Sequence, residues 1–110
     1  MPLSIAMIGC GGMARAHLNG LIELNKHDYD FQLTSVCDTV DSRTAEFAKT
    51  ARKEMGMQPT SYRDFRLMLK DSRPDAVIIA TDHRLHHVLS VPCLEAGCHV
   101  MTEKPLAITI

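Results

Sequence analysis

The chain has 110 residues, of which 45% are hydrophobic and 23% are charged, and its formal net charge is -1. This balance excludes the strongly basic surface typical of nucleic-acid-binding proteins and gives no reason to expect a membrane surface as a partner. No apolar run approaches the ~20 residues of a membrane-spanning helix, and the N-terminus lacks the pattern of a signal peptide. We therefore expect one globular domain with one hydrophobic core.

The cysteine pattern favours free thiols. None of the four cysteines forms a Cys-x-x-Cys pair, and Cys10 and Cys37 lie at the ends of apparent strands, where they resemble small buried hydrophobic residues. We expect structural free thiols rather than disulfides or metal ligands. This favours a reducing, cytoplasmic compartment.

Predicted strands and helices alternate along the first half of the chain. The apolar run at 3–8 predicts a buried strand, and apolar positions at helical spacing predict a helix over 13–24. A second strand is predicted at 31–37. A second helix follows, with Asp41 as its N-cap and Gly56 as the residue that ends it. Its inner face is expected to carry Thr44, Ala48, Ala51 and Met55.

The alternation continues in the second half. A short strand at 58–61 precedes a third helix, for which the tetrapeptide SYRD at 61–64 resembles a capping box. The unbroken apolar run at 76–80 predicts a strand that is covered on both faces. A helical stripe over 85–96, kinked at an interior proline, leads to a last strand at 98–102.

This alternation predicts an α/β fold, a Rossmann-type doubly wound parallel sheet with helices on both faces and right-handed crossovers. The expected strand order is 3-2-1-4-5. Ligands of such sheets bind outside the carboxyl ends of the strands, where the strand order switches. We therefore expect the functional residues at this edge.

A glycine-rich turn joins the first predicted strand to the first helix. Its sequence, GCGGMA, matches the pattern G-x-G-x-x-A. Gly9 would allow the tight turn, Gly11 would let the backbone approach a pyrophosphate, and Ala14 would let the helix pack close to the strand. The backbone N–H groups of Gly12, Met13 and Ala14 would face the anion. A turn without a ligand is the alternative, but the strand-turn-helix setting favours a dinucleotide.

An acidic residue, Asp38, closes the second predicted strand. A carboxylate there can accept both ribose hydroxyls of an adenosine and would repel a 2′-phosphate, which favours NAD over NADP. Arg43, five residues later, would reach a 2′-phosphate or stack on the adenine, so NADP stays open. Methyltransferases share this arrangement, and the first half of the chain alone does not exclude them.

Polar residues also follow the fourth and fifth predicted strands. The segment TDHRLHH begins at Thr81, and the tripeptide EKP begins at Glu103. Because the ends of parallel strands meet at one edge, these residues are expected to converge with the glycine turn and Asp38. A metal site at His83 and His86 is the weaker alternative, since no further ligands occur at metal spacing; we predict none.

Five segments in order, IGCGGMARAHL, CD, AT-x-x-x-x-H, AGCHV and EKP, resemble the N-terminal half of the glucose-fructose oxidoreductase, inositol dehydrogenase and MocA family. The resemblance covers nearly the whole chain, and EKP is its most specific element. It implies an NAD(P)-dependent oxidoreductase that acts on sugars, polyols or related hydroxy compounds. It also implies that Lys104 is catalytic, beside the nicotinamide, where its ammonium would polarise a substrate oxygen or assist its proton loss.

The resemblance implies further contacts. Glu103 would touch the nicotinamide ribose, and His86 would lie on the nicotinamide side of the cleft. Relatives often read A-T-P-N-x-x-H, whereas this chain has Asp82 and His83 in place of the proline and asparagine, which leaves the loop geometry open. The predicted cofactor-binding set is Gly9, Gly11, Gly12, Met13, Ala14, Asp38, Arg43, Thr81, His83, His86, Glu103 and Lys104.

Residues 1–110 are expected to form the NAD(P)-binding domain of a longer enzyme. The resemblance implies a second α/β domain, absent from this chain, that supplies a D-x-x-x-H pair and most substrate contacts. We therefore expect this chain alone to be inactive, and homo-oligomers to form through the absent domain. A non-catalytic dinucleotide-binding or interaction module is the alternative; the presence of Lys104 speaks against it.

Overall fold

The computed structural model describes residues 3–80 and 92–102. Within them, strands and helices alternate, and a further helical turn covers residues 92–95. The strands are β1 (Leu3–Ile8), β2 (Phe31–Cys37), β3 (Thr60–Tyr62), β4 (Ala76–Ile79) and β5 (His99–Thr102). The helices are α1 (Gly12–Lys26), α2 (Asp41–Met55) and α3 (Phe65–Ser72).

The five strands form one parallel sheet in the order β3-β2-β1-β4-β5. The strand order switches beside β1, which pairs with β2 on one side and β4 on the other. The predicted order 3-2-1-4-5 is confirmed. The predicted bounds of the first two strands are confirmed to the residue.

The core lies on both faces of the sheet. On one face, Leu18 of α1 and Phe47 of α2 pack with Leu33 of β2. On the other face, Met68 of α3 packs with Val77 of β4. Successive residues of β4 belong to the two clusters in turn, so the unbroken apolar run at 76–80 is covered on both faces, as predicted.

The predicted start and inner face of α2 need correction. Asp41 is the first helical residue rather than the cap; the cap position is Val40, which makes no side-chain capping bond. The carboxylate of Asp41 instead accepts a hydrogen bond from Arg63 Nε at 2.7 Å. Phe47 occupies the buried face, where Ala48 had been expected and is only half-buried. The predicted end is confirmed: Gly56 adopts a left-handed conformation with φ 69°.

The predicted capping box of α3 is also wrong. Ser61 belongs to β3, where the segment Thr60–Tyr62 pairs with β2. The cap is Asp64, whose Oδ1 accepts a hydrogen bond from the backbone N–H of Arg66 at 2.9 Å. Because Ser61 pairs with β2, it is part of the strand and does not cap the helix. The helix therefore begins one turn later than predicted. The predicted kink at Pro92 depends on residues 81–91, outside the described part of the chain.

All four cysteines are buried and free, as predicted. Burial is the main cause that raises the pKa of Cys10 to about 12 and that of Cys37 to about 11. Thiols with such pKa values stay protonated and unreactive near neutral pH. None of the helices in the described ranges is long and apolar enough to cross a bilayer.

Candidate functional site

The site begins where the central strands end. The backbone N–H of Gly9 donates to the carbonyl of Cys37 at 2.7 Å, and the N–H of Ala80 donates to the carbonyl of Ile8 at 2.9 Å. These bonds hold the ends of β1, β2 and β4 together just beyond the last strand residues. The glycine turn therefore leaves the sheet at the switch point of the strand order, where sheets of this type bind ligands.

The glycines of the turn differ in what the fold requires of them. Gly9 has a φ of 93°, which favours glycine strongly. Gly11 has a φ of −87°, which any residue adopts, and a Cβ atom on Gly12 would meet nothing within 4 Å. The turn itself explains Gly9, whereas neither backbone strain nor internal packing explains the other two. A bound group that needs close approach to the backbone would explain both.

The start of α1 presents backbone donors. Gly11 is the cap residue, and the first helical hydrogen bond runs from the N–H of Arg15 to the carbonyl of Gly11 at 3.2 Å. The preceding N–H groups, of Gly12, Met13 and Ala14, have no partner within the helix. No acidic side chain occupies this first turn. The helix start therefore suits a negatively charged ligand.

Ala14 lies on the buried side of α1. Its side chain is fully buried in the same cluster as Cys10 and Leu18. A larger residue at this position would push the helix away from β1. The full burial of Ala14 is compatible with its predicted packing role, which stays a prediction.

The carboxylate of Asp38 bridges the glycine turn and the start of α2. Its Oδ2 accepts a hydrogen bond from the backbone N–H of Cys10, and its Oδ1 accepts one from the backbone N–H of Val40, both at 2.9 Å. The side chain is only 9% exposed. An ionised carboxylate offers about four acceptor positions, so capacity remains for hydroxyl groups of a ligand. The residue is thus both part of the turn and a candidate ligand contact.

Arg43 brings a positive charge to the same place. Its Nη1 lies 3.8 Å from Oδ2 of Asp38, and a Cβ atom added to Gly11 would lie 3.6 Å from this nitrogen. The guanidinium stays 55% exposed. The structure therefore groups the glycine turn, Asp38 and Arg43 within contact distance of one another.

The residues present fit a dinucleotide. The helix N–H groups that lack a partner within the helix suit a pyrophosphate, no described residue fills the space beside Gly12, and Asp38 has acceptors left for a ribose. The other predicted contacts lie outside the described residues: Thr81, His83, His86, Glu103 and Lys104.

Sequence reasoning missed the backbone partners of Asp38. The bond from Val40 could have been predicted, because an aspartate side chain often accepts a hydrogen bond from the backbone N–H two residues later. The bond to Cys10 joins residues 28 positions apart and had no such signal.

The comparison with known proteins agrees with this geometry. Residues 3–110 match the family model described as an oxidoreductase family with an NAD-binding Rossmann fold. The chain is 36% identical over 109 residues to D-glucoside 3-dehydrogenase of Escherichia coli, covering 98% of this chain and 28% of that protein.

Solved structures show the same similarity. A scyllo-inositol dehydrogenase from Lactobacillus casei, with NAD(H) and scyllo-inositol bound, superposes with a TM-score of 0.75 at 25% identity, covering 96% of this chain and 29% of that one. An oxidoreductase from Thermotoga maritima superposes with a TM-score of 0.82 at 29% identity, covering 96% and 31%. The chain thus spans about three tenths of the length of these relatives. It belongs to the GFO/IDH/MocA oxidoreductase family and carries the family's NAD-binding Rossmann fold.

Proposed function

We propose that this chain is the cofactor-binding domain of an enzyme that transfers a hydride between a nicotinamide dinucleotide and a sugar, polyol or related hydroxy compound. The observation that carries the proposal is the pair Gly11 and Gly12. The fold does not require either glycine, and both lie at a helix start that lacks acidic side chains. Family membership supports the same conclusion.

Each site residue within the described part of the chain has its own role in binding the cofactor. The N–H groups at the start of α1 bind the pyrophosphate, aided by the helix dipole. Gly11 and Gly12 leave the space that the phosphates need, and Gly9 and Ala14 set the turn and the helix packing. Asp38 accepts the ribose hydroxyls while its bonds to the backbone keep the turn in place. The bound nicotinamide supplies the chemistry of accepting or giving up a hydride.

We propose Lys104 as the catalytic residue. Its assignment rests on the EKP segment and the family resemblance, because residues 103–110 lie outside the described part. Its ammonium would hold the substrate oxygen and exchange a proton with it as the hydride moves. Glu103 would contact the nicotinamide ribose, and Thr81, His83 and His86 would line the same cleft.

The substrate class is taken from the relatives. One is a D-glucoside 3-dehydrogenase and another binds scyllo-inositol, so we propose a cyclic polyol or sugar as the substrate. We further propose that residues 1–110 form one domain of a longer enzyme, whose other domain binds the substrate and mediates homo-oligomer formation. The four free, buried cysteines favour a reducing, cytoplasmic compartment.

Binding of NADH tests the proposal directly. The chain has no tryptophan, so nicotinamide fluorescence can be followed without interference from that residue. Gly11→Val should abolish saturable binding, because its side chain would occupy the pyrophosphate position. Gly20→Val is the matched control: Gly20 lies in α1, and a Cβ atom there would meet nothing within 4 Å, whereas one on Gly11 would be in ordinary contact with Arg43 at 3.6 Å. NADH binding by Gly11→Val as tight as that of wild type would overturn the proposal.

A further inference from the structure

We propose that an apolar groove beside α1 is the docking site for a helix of the polypeptide that continues beyond residue 110. The groove has a volume of about 610 Å³ and lies between α1 and the first residues of β1, β4 and β5, which are Leu3, Ala76 and His99. This inference rests on one part of the proposed function, that residues 1–110 are a domain of a longer enzyme.

The groove is separate from the cofactor site. Leu3, Ala76 and His99 begin their strands, whereas the glycine turn and Asp38 follow the ends of theirs. Because the strands are parallel, the groove and the dinucleotide lie toward opposite edges of the sheet. A bound dinucleotide therefore leaves the groove uncovered.

The described helices leave this part of the sheet face exposed. On this face α1 and α2 pack with β1 and β2, and none of the described side chains of β5 joins their cluster. Two leucines that line the groove, Leu3 and Leu24, are 44% and 42% exposed. Contiguous apolar surface of this kind usually marks a place where another element binds.

The side of α1 that lines the groove is shaped for close contact. Ala16, Gly20 and Leu24 recur every fourth residue, so they lie in one row, and all three are exposed. A glycine inside a helix weakens that helix, and a Cβ atom on Gly20 would meet nothing within 4 Å. The described fold therefore does not require Gly20, whereas close packing of a second helix against α1 would.

The chemistry of the groove favours a helix as its occupant. Among the described residues that line it, only His17 and His99 have polar side chains. The backbone N–H and C=O groups of an extended segment would find few partners there, but a helix pairs these groups internally. A small-molecule site of this volume would instead present several converging polar groups.

The continuation of the chain starts within reach of the groove. The strand β5 lines the groove, and the eight residues that follow it, 103–110, span at most about 29 Å when fully extended. The relatives are much longer, since this chain spans about three tenths of their length. A helix tethered by so short a connection binds at high effective concentration. This favours it over a second copy of the chain or a separate partner.

Thiol accessibility in the longer enzyme tests the inference. The four native cysteines are buried, so the reaction of Ala16→Cys with a maleimide reports on the groove. Ala45→Cys is the matched control, because Ala45 is an exposed alanine of α2 that does not line the groove. In the longer enzyme, Ala16→Cys should react at least about 100-fold more slowly than Ala45→Cys. In the 110-residue chain the two rates should agree within about threefold.

Photo-cross-linking identifies the occupant. Leu24 is replaced in the longer enzyme by photo-leucine, a diazirine analogue of leucine. Irradiation should join residue 24 to a residue beyond 110 of the same chain, which mass spectrometry of the digested product locates. Cross-links that form only between chains, seen as doubled mass on a denaturing gel, would assign the groove to a second copy and overturn the inference.

Two results of the thiol measurement would also overturn it. One is rates for Ala16→Cys and Ala45→Cys that agree within about threefold in the longer enzyme. The other is slow reaction of Ala16→Cys in the 110-residue chain as well. Neither bears on NADH binding, so the cofactor-binding proposal would stand. A gene that encodes residues 1–110 alone would instead overturn the proposed longer enzyme, and this inference with it.

Discussion

The carboxylate of Asp38 accepts a hydrogen bond from the backbone N–H of Cys10, which stands 28 positions earlier in the chain. One side chain at the end of β2 thus fixes the turn that follows β1. The residue assigned to the ribose is also a structural support of the turn assigned to the pyrophosphate. Cofactor affinity and the stability of the turn should therefore respond to the same substitution.

Asp38→Ala should lower both quantities. It removes the ribose acceptor and leaves the N–H of Cys10 without its partner in a part-buried setting. We expect the free energy of unfolding to fall by about 1–3 kcal/mol and NADH affinity to fall by at least about tenfold. Thermal unfolding and NADH titration measure the two effects. Asp71→Ala, at an exposed position in α3, should change neither; unchanged stability of Asp38→Ala would refute the supporting role.

Lys104→Ala should separate binding from chemistry. If the lysine acts on the substrate oxygen, NADH affinity of this chain should change by less than about threefold. Turnover by the proposed longer enzyme on a panel of sugars and polyols should fall by about 10²-fold or more. A wild-type longer enzyme that oxidises no member of the panel would favour the non-catalytic module, and full activity of the variant would remove Lys104 from the chemistry.

A carboxylate at the opposite end of the sheet makes stability depend on pH. Asp75 Oδ2 accepts hydrogen bonds from the backbone N–H and the hydroxyl of Ser4, at 2.9 and 3.0 Å. These bonds lower the pKa of Asp75 from its ordinary value of 3.8, and the bond from the backbone N–H of Ser4 has the largest effect. A depressed pKa in the folded state stabilises the protein above pH 3.8, and this contribution disappears as the pH falls through the folded pKa.

Asp75→Asn should therefore be less stable than wild type at neutral pH, and the difference should shrink as the pH falls below 3.8. Denaturant unfolding at a series of pH values measures it. Asp71→Asn, an exposed residue in α3, serves as the control for a general change of charge. A difference between wild type and Asp75→Asn that stays constant down to the lowest pH would contradict the assignment.

Phe47 anchors α2 to the core and is the residue that sequence reasoning left out of the helix's inner face. It is 1% exposed, and the guanidinium of Arg15 lies 5.7 Å from its ring centre. Phe47→Ala should reduce the free energy of unfolding by about 3–5 kcal/mol, through lost burial and the cavity left behind. Leu67→Ala, at a side chain that is 49% exposed, should cost less than about 0.5 kcal/mol. Similar losses in the two variants would show that Phe47 is not a core anchor.

The centre of the sheet was predictable because β1 and β4 are largely apolar runs. Such runs identify buried parallel strands directly, and the alternation with helices then allows few strand orders. Helix starts were less predictable. Asp41 has the chemistry of a cap, but an ion pair with Arg63 engages it instead. Ser61 also has that chemistry, yet pairing with β2 places it in a strand.

In the candidate site, too, some features could be predicted from the sequence and others could not. The glycine pattern and the acid at the end of β2 could be identified from spacing, since the turn needs Gly9 in its left-handed conformation. The grouping of Arg43 with Gly11 depends on how α2 leaves the sheet, which no local pattern encodes. Long-range contacts of this kind become visible only in three dimensions.

The central position of β1 has a consequence for synthesis on the ribosome. Ile5 pairs with Leu33 on one side and with Ala76 on the other. At about 5–20 residues per second, the second partner is made several seconds after the strand itself. During that interval a strand meant for the middle of a sheet has one unpaired edge, which is open to pairing with another chain. The first of the described strands to be made, β1, therefore stays unpaired on one edge until β4 follows, and a nascent chain that stalls before residue 76 should be prone to aggregate.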